Sequence, residues 1–116
     1  MNYIKRISKG PTFKQKGFDG YDFNIENKEI SITIEDSYKG HEKYHTNPRS
    51  THIYYVIEGE GTFKIDGKLY KVKKDDCVEI PPNTEFIFAG KMKLLLVMNP
   101  AFNSEDGIEG KDNDIW

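Results

Sequence analysis

Two histidines and an asparagine are the side chains best suited to chemistry in this chain. His45, Asn47 and His52 come just before the apolar run at 54–57 and a Gly-Glu-Gly turn. Imidazole is a common metal ligand, and its pKa near neutrality also lets it accept and return protons. Asn47 offers a metal no more than a carbonyl oxygen. The cluster therefore indicates either a metal site or a proton-transfer site.

The number of ligands bears on this choice. An open catalytic metal site takes about three protein ligands, and here two are imidazoles. Zinc, nickel, iron or manganese would be held loosely by His45 and His52, with Asn47 as a weak third ligand. Without a metal, the two histidines and nearby Tyr54 are candidates for general acid and base on a sugar or keto substrate. The residues leave both alternatives open, beside a third that we favour over a bound metal, in which His45 and His52 are only hydrogen-bonded pocket or loop residues. We interpret His41 as a solvated histidine.

The strands that must position these residues are indicated by apolar and polar side chains that alternate with a period of two residues. In the stretch 30–35, isoleucines alternate with Ser31, Thr33 and Glu35, which is typical of a half-buried strand. Further short strands are predicted up to the Pro-Pro-Asn loop at 81–83 and beyond it. We count roughly eight to ten strands, the spacing of an all-β sandwich or barrel, and no stretch with a sustained helical pattern.

One hairpin is indicated directly. Asp66-Gly67 separates two alternating segments, and this dipeptide is the strongest short hairpin signal because a type I′ turn needs positive φ at both central positions. We expect a two-residue turn there, with Phe63 and Ile65 on the buried face.

The two ends of the chain differ from its middle. Residues 9–24 are glycine-rich and irregular, which predicts an edge strand or a flap. The tail at 103–114 is polar and acidic but is followed by Ile115 and Trp116. We expect Trp116 to anchor the tail to its own barrel or to a partner subunit, because aromatic side chains serve well as anchors.

The order of these segments resembles the cupin family. The run YYVIEGEG at 54–61, the Asp-Gly hairpin and the run DDCVEIPPNT at 75–84 follow one another at the distances of the two cupin motifs. The resemblance implies a double-stranded β-helix, a jelly-roll barrel with little helix, in which residues 1–116 form one cupin domain with its barrel at about 30–100.

The resemblance also implies where metal ligands would lie, and this chain departs from that pattern. His45 stands at the first histidine of the first motif, Asn47 at the second histidine and His52 at the glutamate. In the second motif, Phe86 stands in place of the histidine. The metal-binding motifs are therefore degenerate.

Strand parity predicts one shared pocket. If His45, His52 and Phe86 point inward, alternate residues on the same strands do so too. The predicted cup is apolar with a few polar groups, which is the general form of a small-molecule site. Its lining would be His45, Asn47, His52, Tyr54, Phe86 and Phe88.

Composition narrows the class of partner. The formal net charge is −2 and no long run of one charge sign occurs, so neither a nucleic acid nor a membrane surface is expected as a partner. The single Cys77 excludes an internal disulfide and fits a reducing compartment. We expect a cytoplasmic protein, and exposed edge strands together with the family habit favour a homodimer.

The sequence leads to one functional hypothesis and two alternatives. The hypothesis is a cupin that binds a small molecule, has a degenerate metal site and isomerises a sugar or keto compound. The alternatives are a binding or sensing module without turnover, and a metal-dependent enzyme that uses His45 and His52.

Overall fold

The computed structural model describes residues 2–116, and within that range the fold is entirely β. Ten strands form, with no helix among the described residues. They are β1 Phe13–Lys14, β2 Phe18–Asp22, β3 Ser31–Ser37, β4 Lys43–Thr46, β5 Thr51–Ile65, β6 Lys68–Lys73, β7 Cys77–Ile80, β8 Phe86–Ala89, β9 Met92–Asn99 and β10 Ile108–Asp112. Accordingly, the described part of the chain has no helix long and apolar enough to cross a membrane. The predicted all-β jelly-roll class is confirmed.

The sheet curls into a cup because one long strand belongs to both of its walls. The strand order is β1-β2-β3-β9-β5-β8-β4-β10, with β6 and β7 also paired to β5. The first half of β5 pairs with β9 and β7, and its second half pairs with β6 and β8. A bulge between Val56 and Glu58 separates these halves, and bulges bend the strand that carries them.

Gly59 follows that bulge, and its conformation explains why the first residue of the Gly-Glu-Gly turn is glycine. Its φ is +84°, and a Cβ there would lie 2.2 Å from the carbonyl oxygen of Lys91. Only glycine fits such a close backbone approach at positive φ. The turn that the sequence places after the apolar run is thus the point where β5 passes from one wall to the other.

The predicted hairpin is confirmed. Asp66 and Gly67 have φ of 49° and 80°, and β5 pairs with β6 on either side of them. Phe63 is fully buried and Ile65 packs against the core. Phe63 therefore helps to form the apolar base of the cup, together with neighbours on β8 and β9.

Strand β3 turns its polar face toward the interior. Thr33, Glu35 and Ser37 are buried, and Leu94 and Leu96 oppose two of them on the inner face of β9. The alternation correctly predicts a strand, but period two alone does not determine which face is buried.

Both ends of the chain pack on the barrel. The predicted edge strand in 9–24 is present as β1 and β2, whereas β10 in the tail, paired with β4, was not predicted. Trp116 lies beside Gly17, with the Lys39 ammonium 4.4 Å from its ring centroid, a favourable cation–π distance.

Candidate functional site

The cup encloses a cavity of about 400 Å³, within the range of roughly 300–1,000 Å³ typical of small-molecule sites. Strands β1–β3 and the segment after β9 form one side, and β4, β5 and β9 form the other. The lining residues are Thr12, Phe13, Gln15, Phe18, Asp22, Thr33, Glu35, His41, His45, His52, Tyr54, Leu96, Met98 and Phe102.

All three histidines of the chain converge on this cavity. His45 on β4 and His52 on β5 have ring centroids 5.5 Å apart, and His41 lies 6.4 Å from His45. The interpretation of His41 as solvated is wrong, because this residue is only 8% exposed. The backbone N–H of His41 donates to the carbonyl of Phe88, and the imidazole packs 4.2 Å from the Phe88 ring. Strand parity already places His41 on the same face as His45, but the contact that buries it is with β8, a distant segment that the local pattern does not show.

Burial keeps these imidazoles neutral. It lowers the pKa of His41 to about 3, with further lowering by nearby His45 and His52. The pKa of His52 falls to about 4, mainly through burial and then through His45. Burial also lowers the pKa of His45, although the carboxylate of Glu109 opposes that shift. At neutral pH the cavity thus presents three uncharged imidazoles, each with one donor and one acceptor nitrogen.

Tyr54 lies beside this cluster as the sequence predicts. It is fully buried, and its ring stacks on His52 at 6.2 Å with an interplanar angle of 17°. Burial raises the pKa of Tyr54 well above its usual value, and the nearby Glu35 adds to the effect. The phenol therefore stays protonated and is available as a hydrogen-bond donor.

Asn47 has a different position from the one predicted. It is buried, and its Oδ1 accepts hydrogen bonds from the backbone N–H groups of Arg49 and Ser50 at 2.9 and 2.8 Å. This is the local pattern of an Asx turn. Its side chain therefore shapes the loop between β4 and β5 and is not on the cavity surface.

Phe86 and Phe88 lie behind the histidines and not on the cavity surface. The ring of Phe86 is 5.2 Å from His52, 5.8 Å from His45 and 5.6 Å from His41. Both phenylalanines are fully buried. Their rings pack against the imidazoles and take no part in the cavity surface.

Two carboxyl groups complete the cavity, and the sequence did not single them out. Asp22 on β2 accepts hydrogen bonds from the hydroxyls of Thr33 and Thr12 at 2.8 and 3.0 Å. Glu35 is 3% exposed, and burial together with the charge of Asp22 raises its pKa to about 8. The only sequence signal for Glu35 is the polar alternation of 31–35, and Asp22 lies in the irregular stretch 9–24, which carries no such signal.

The tail lines a second, smaller cavity that shares Gln15, His41 and His45 with the larger one. This cavity of about 130 Å³ is lined by Gln15, His41, Glu42, Lys43, His45 and Glu109. Glu109 on β10 is the register partner of His45 on β4. Lys43 is paired with Asp112 at 2.7 Å. Strand β10 therefore lines the smaller cavity through Glu109 and engages the Lys43 ammonium group through Asp112.

The donor set does not fit a metal centre. Among residues 2–116, no group of three or more histidine, cysteine or acidic side chains is placed to hold a metal ion. The Oδ1 of Asn47 is engaged by two backbone donors, and the position of the second-motif histidine carries a phenyl ring. Three imidazoles line the cavity, but they are not grouped around one point as the three protein ligands of an open site would be, so no step proposed below passes through a metal.

An all-β jelly-roll barrel that encloses a cavity lined by apolar side chains, histidines and two carboxyl groups is the class of protein that the fold and the site define. The chain belongs to the cupin family: residues 34–98 match the Cupin_2 model, described as a cupin domain. Uncharacterized protein MJ1618 of Methanocaldococcus jannaschii is 36% identical over 66 residues, 53% of each chain. The L-ectoine synthase of Shouchella clausii is 30% identical over 90 residues, 65% of this chain and 67% of that enzyme. The chain thus spans about half to two thirds of the length of these relatives.

Solved structures give a fuller match. Pac13, described as a nucleoside dehydratase, is 25% identical with a TM-score of 0.90, over 97% of this chain and 93% of that one. A tyrosine-to-phenylalanine variant of Streptomyces PAC13, solved with uridine, is 26% identical at the same TM-score and coverage.

Proposed function

We propose that this protein is an enzyme that moves protons on an uncharged sugar- or nucleoside-like molecule bound in the cup. The observation that carries the proposal is the convergence of three neutral imidazoles and a protonated tyrosine on one cavity. The likeness to a nucleoside dehydratase along almost the whole chain supports this class of ligand.

The charge of the lining supports an unphosphorylated ligand. Among the described residues that line the larger cavity, two are acidic and none is lysine or arginine. Lys43, which lines the smaller cavity, is already paired with Asp112. Phosphate needs cationic or backbone donors, and a second negative charge beside Asp22 is unfavourable in a site of low dielectric. The cup therefore favours a nucleoside over its phosphate ester.

The reaction class follows from what neutral imidazoles can do. A base removes the proton from a carbon next to a carbonyl group, and the electron pair forms an enolate or enol. If the neighbouring carbon bears a hydroxyl, that group accepts a proton and leaves as water. If it does not, return of the proton to the opposite face of the same carbon gives an epimer, and a hydroxyl on the deprotonated carbon lets the proton return to the former carbonyl carbon, which gives an aldose–ketose isomer. Both outcomes begin with the same proton abstraction, for which general base catalysis contributes roughly 10²–10⁴-fold.

His45 is assigned as the base. It lines both cavities, so a molecule bound in either of them lies beside its imidazole. Glu109 opposes the lowering of its pKa, which favours proton uptake relative to the more deeply buried His41. Tyr54 is assigned to hold the carbonyl or hydroxyl oxygen by donating its phenolic proton.

Turnover by His45→Gln tests the proposal. The protein is incubated with sugars and nucleosides that carry a carbonyl group on the sugar, and loss of water or isomerisation is followed by mass spectrometry and proton NMR. We expect kcat to fall at least about a hundredfold while ligand affinity changes only a few-fold. Arg49→Gln, at an exposed loop residue paired with Asp106, is the matched control and should behave as wild type.

Two results would contradict this assignment. Unchanged kcat in His45→Gln would remove His45 from the chemistry. Tight binding without turnover of any compound in wild type would leave a binding or sensing module, the non-catalytic alternative.

A further inference from the structure

Glu35 is the polar group of the inner β3 face that the fold leaves without a partner. The other polar residues of that face are engaged: Ser31 accepts from the Phe102 N–H, Thr33 donates to Asp22, and Ser37 donates to the carbonyl of Gly90. The Oε1 of Glu35 is buried and has no hydrogen-bond partner among the described residues. A buried polar atom left unpaired is costly, so a fold without use for it would favour an apolar residue there.

The position of Glu35 shows which space its unpaired carboxyl group faces. Its side chain lines the larger cavity, on the wall that also carries Asp22 and Thr33. On the neighbouring strands, Leu94 and Gly20 are its register partners, and neither side chain offers a hydrogen bond. A molecule in the cavity is the available partner.

We propose that Glu35 contacts the bound molecule as an uncharged carboxylic acid and donates a hydrogen bond to one of its hydroxyl or carbonyl oxygens. Glu35 is thus a specificity residue that selects neutral, oxygen-rich ligands. The inference rests on the proposed function for the class of ligand. The unpaired carboxyl oxygen of Glu35 is present whether or not that ligand is a nucleoside.

The charges around Glu35 agree with an uncharged acid. Asp22 from β2 is the nearby carboxylate, Tyr54 from β5 is protonated, and no lysine or arginine among the described residues lines the cavity. Burial and Asp22 together raise the pKa of Glu35 to about 8. A carboxylic acid then presents one O–H donor beside one carbonyl acceptor, and glutamine presents the same pair in nearly the same shape.

Three variants test the proposal in the intact chain. Glu35→Gln keeps a donor and an acceptor, Glu35→Leu keeps the volume without either, and Asp36→Asn is the matched control on the exposed face of the same strand. Uridine is the first probe, measured by titration calorimetry at pH 7. We expect Glu35→Gln to bind within about threefold of wild type and Glu35→Leu to bind at least about tenfold more weakly, with Asp36→Asn unchanged. Equal affinity in wild type and Glu35→Leu overturns the proposal.

A second readout separates this inference from the proposed function. The carboxyl ¹³C signal of Glu35, assigned by its loss in Glu35→Gln, is followed while uridine, thymidine and neutral hexoses are added separately. A shift with hexoses but not nucleosides keeps the role of Glu35 and rejects the nucleoside class. No shift with any of them overturns the role of Glu35. A ligand amine that binds wild type and is lost in Glu35→Gln would also overturn it, because the carboxylate would then be the binding form.

Discussion

Replacing Phe86 by histidine is expected to destabilise the metal-free protein and to make its stability depend on nickel or zinc. Phe86 is fully buried, and its ring lies within 6 Å of all three imidazoles. Truncation of a core phenylalanine to alanine costs roughly 3–5 kcal/mol. Because imidazole retains part of the ring but brings polar atoms into the core, we expect a loss of about 2–3 kcal/mol on the same scale.

Added metal should reverse that loss. The new imidazole joins His45 and His52 to complete the three protein ligands of an open site. A metal at a hundred times its Kd stabilises the native state by about 2.7 kcal/mol. The melting temperature of Phe86→His should therefore rise with nickel or zinc while that of wild type stays unchanged, and Phe86→Leu controls for lost packing. An equal rise in wild type would show that the native histidines already hold metal, and no rise in the variant would show that residue 86 cannot complete a site.

Acid is expected to unfold this protein through its buried histidines. The pKa of His41 is about 3 in the folded state and near 6.5 in the unfolded chain. A lowered folded pKa gives stability that is present above pH 6.5 and is lost as pH falls toward 3. The surroundings of His41 are Phe18 from β2, Phe88 from β8, and the histidines of β4 and β5, and none of these side chains carries a negative charge.

The expected size of this acid effect is large. At about 1.4 kcal/mol per pKa unit, His41 alone accounts for on the order of 4 kcal/mol between pH 6.5 and 3. His52, with a pKa of about 4, adds in the same direction. Urea unfolding at pH 7, 5 and 4 measures the slope, which should be clearly shallower in His41→Gln. An identical slope in that variant would mean that His41 is accessible to protons in the folded state.

Glu35 produces the opposite dependence. Its folded pKa of about 8 lies above the ordinary glutamate value of 4.5, so its contribution to stability is complete below pH 4.5 and is lost as pH rises through 8. The two effects together place maximal stability in mildly acidic solution, near pH 6. Glu35→Gln should remove the loss on the alkaline side only.

Sequence patterns predict most of this barrel because its elements carry local signals. The Asp66-Gly67 turn, the strands around it and the apolar faces of β8 and β9 follow from turn chemistry and alternation. The convergence of His45, His52 and Tyr54 on one cavity also agrees with strand parity. Each of these features depends on residues close together in the chain.

Other parts of the site depend on contacts between distant segments. His41 is buried through its contact with Phe88, and β10 forms from a polar tail because β4 offers it an edge. Glu35 was overlooked because an alternating strand gives no sign of which face lines a cavity. The Oδ1 of Asn47 accepts hydrogen bonds from backbone N–H groups of its own loop. This local bonding competes with any role of the side chain in the pocket.

The ligand preference of the cup is the most direct test of this account. Wild-type protein is titrated at pH 7 with uridine and with its 5′-monophosphate, each with and without a chelator. We expect one uridine to bind per chain, and the chelator to leave its affinity unchanged. We expect the 5′-monophosphate to bind at least about tenfold more weakly, because the described lining of the cavity has two carboxyl groups and no lysine or arginine. Tighter binding of the phosphate, loss of uridine binding with the chelator, or no binding of uridine at all would contradict it.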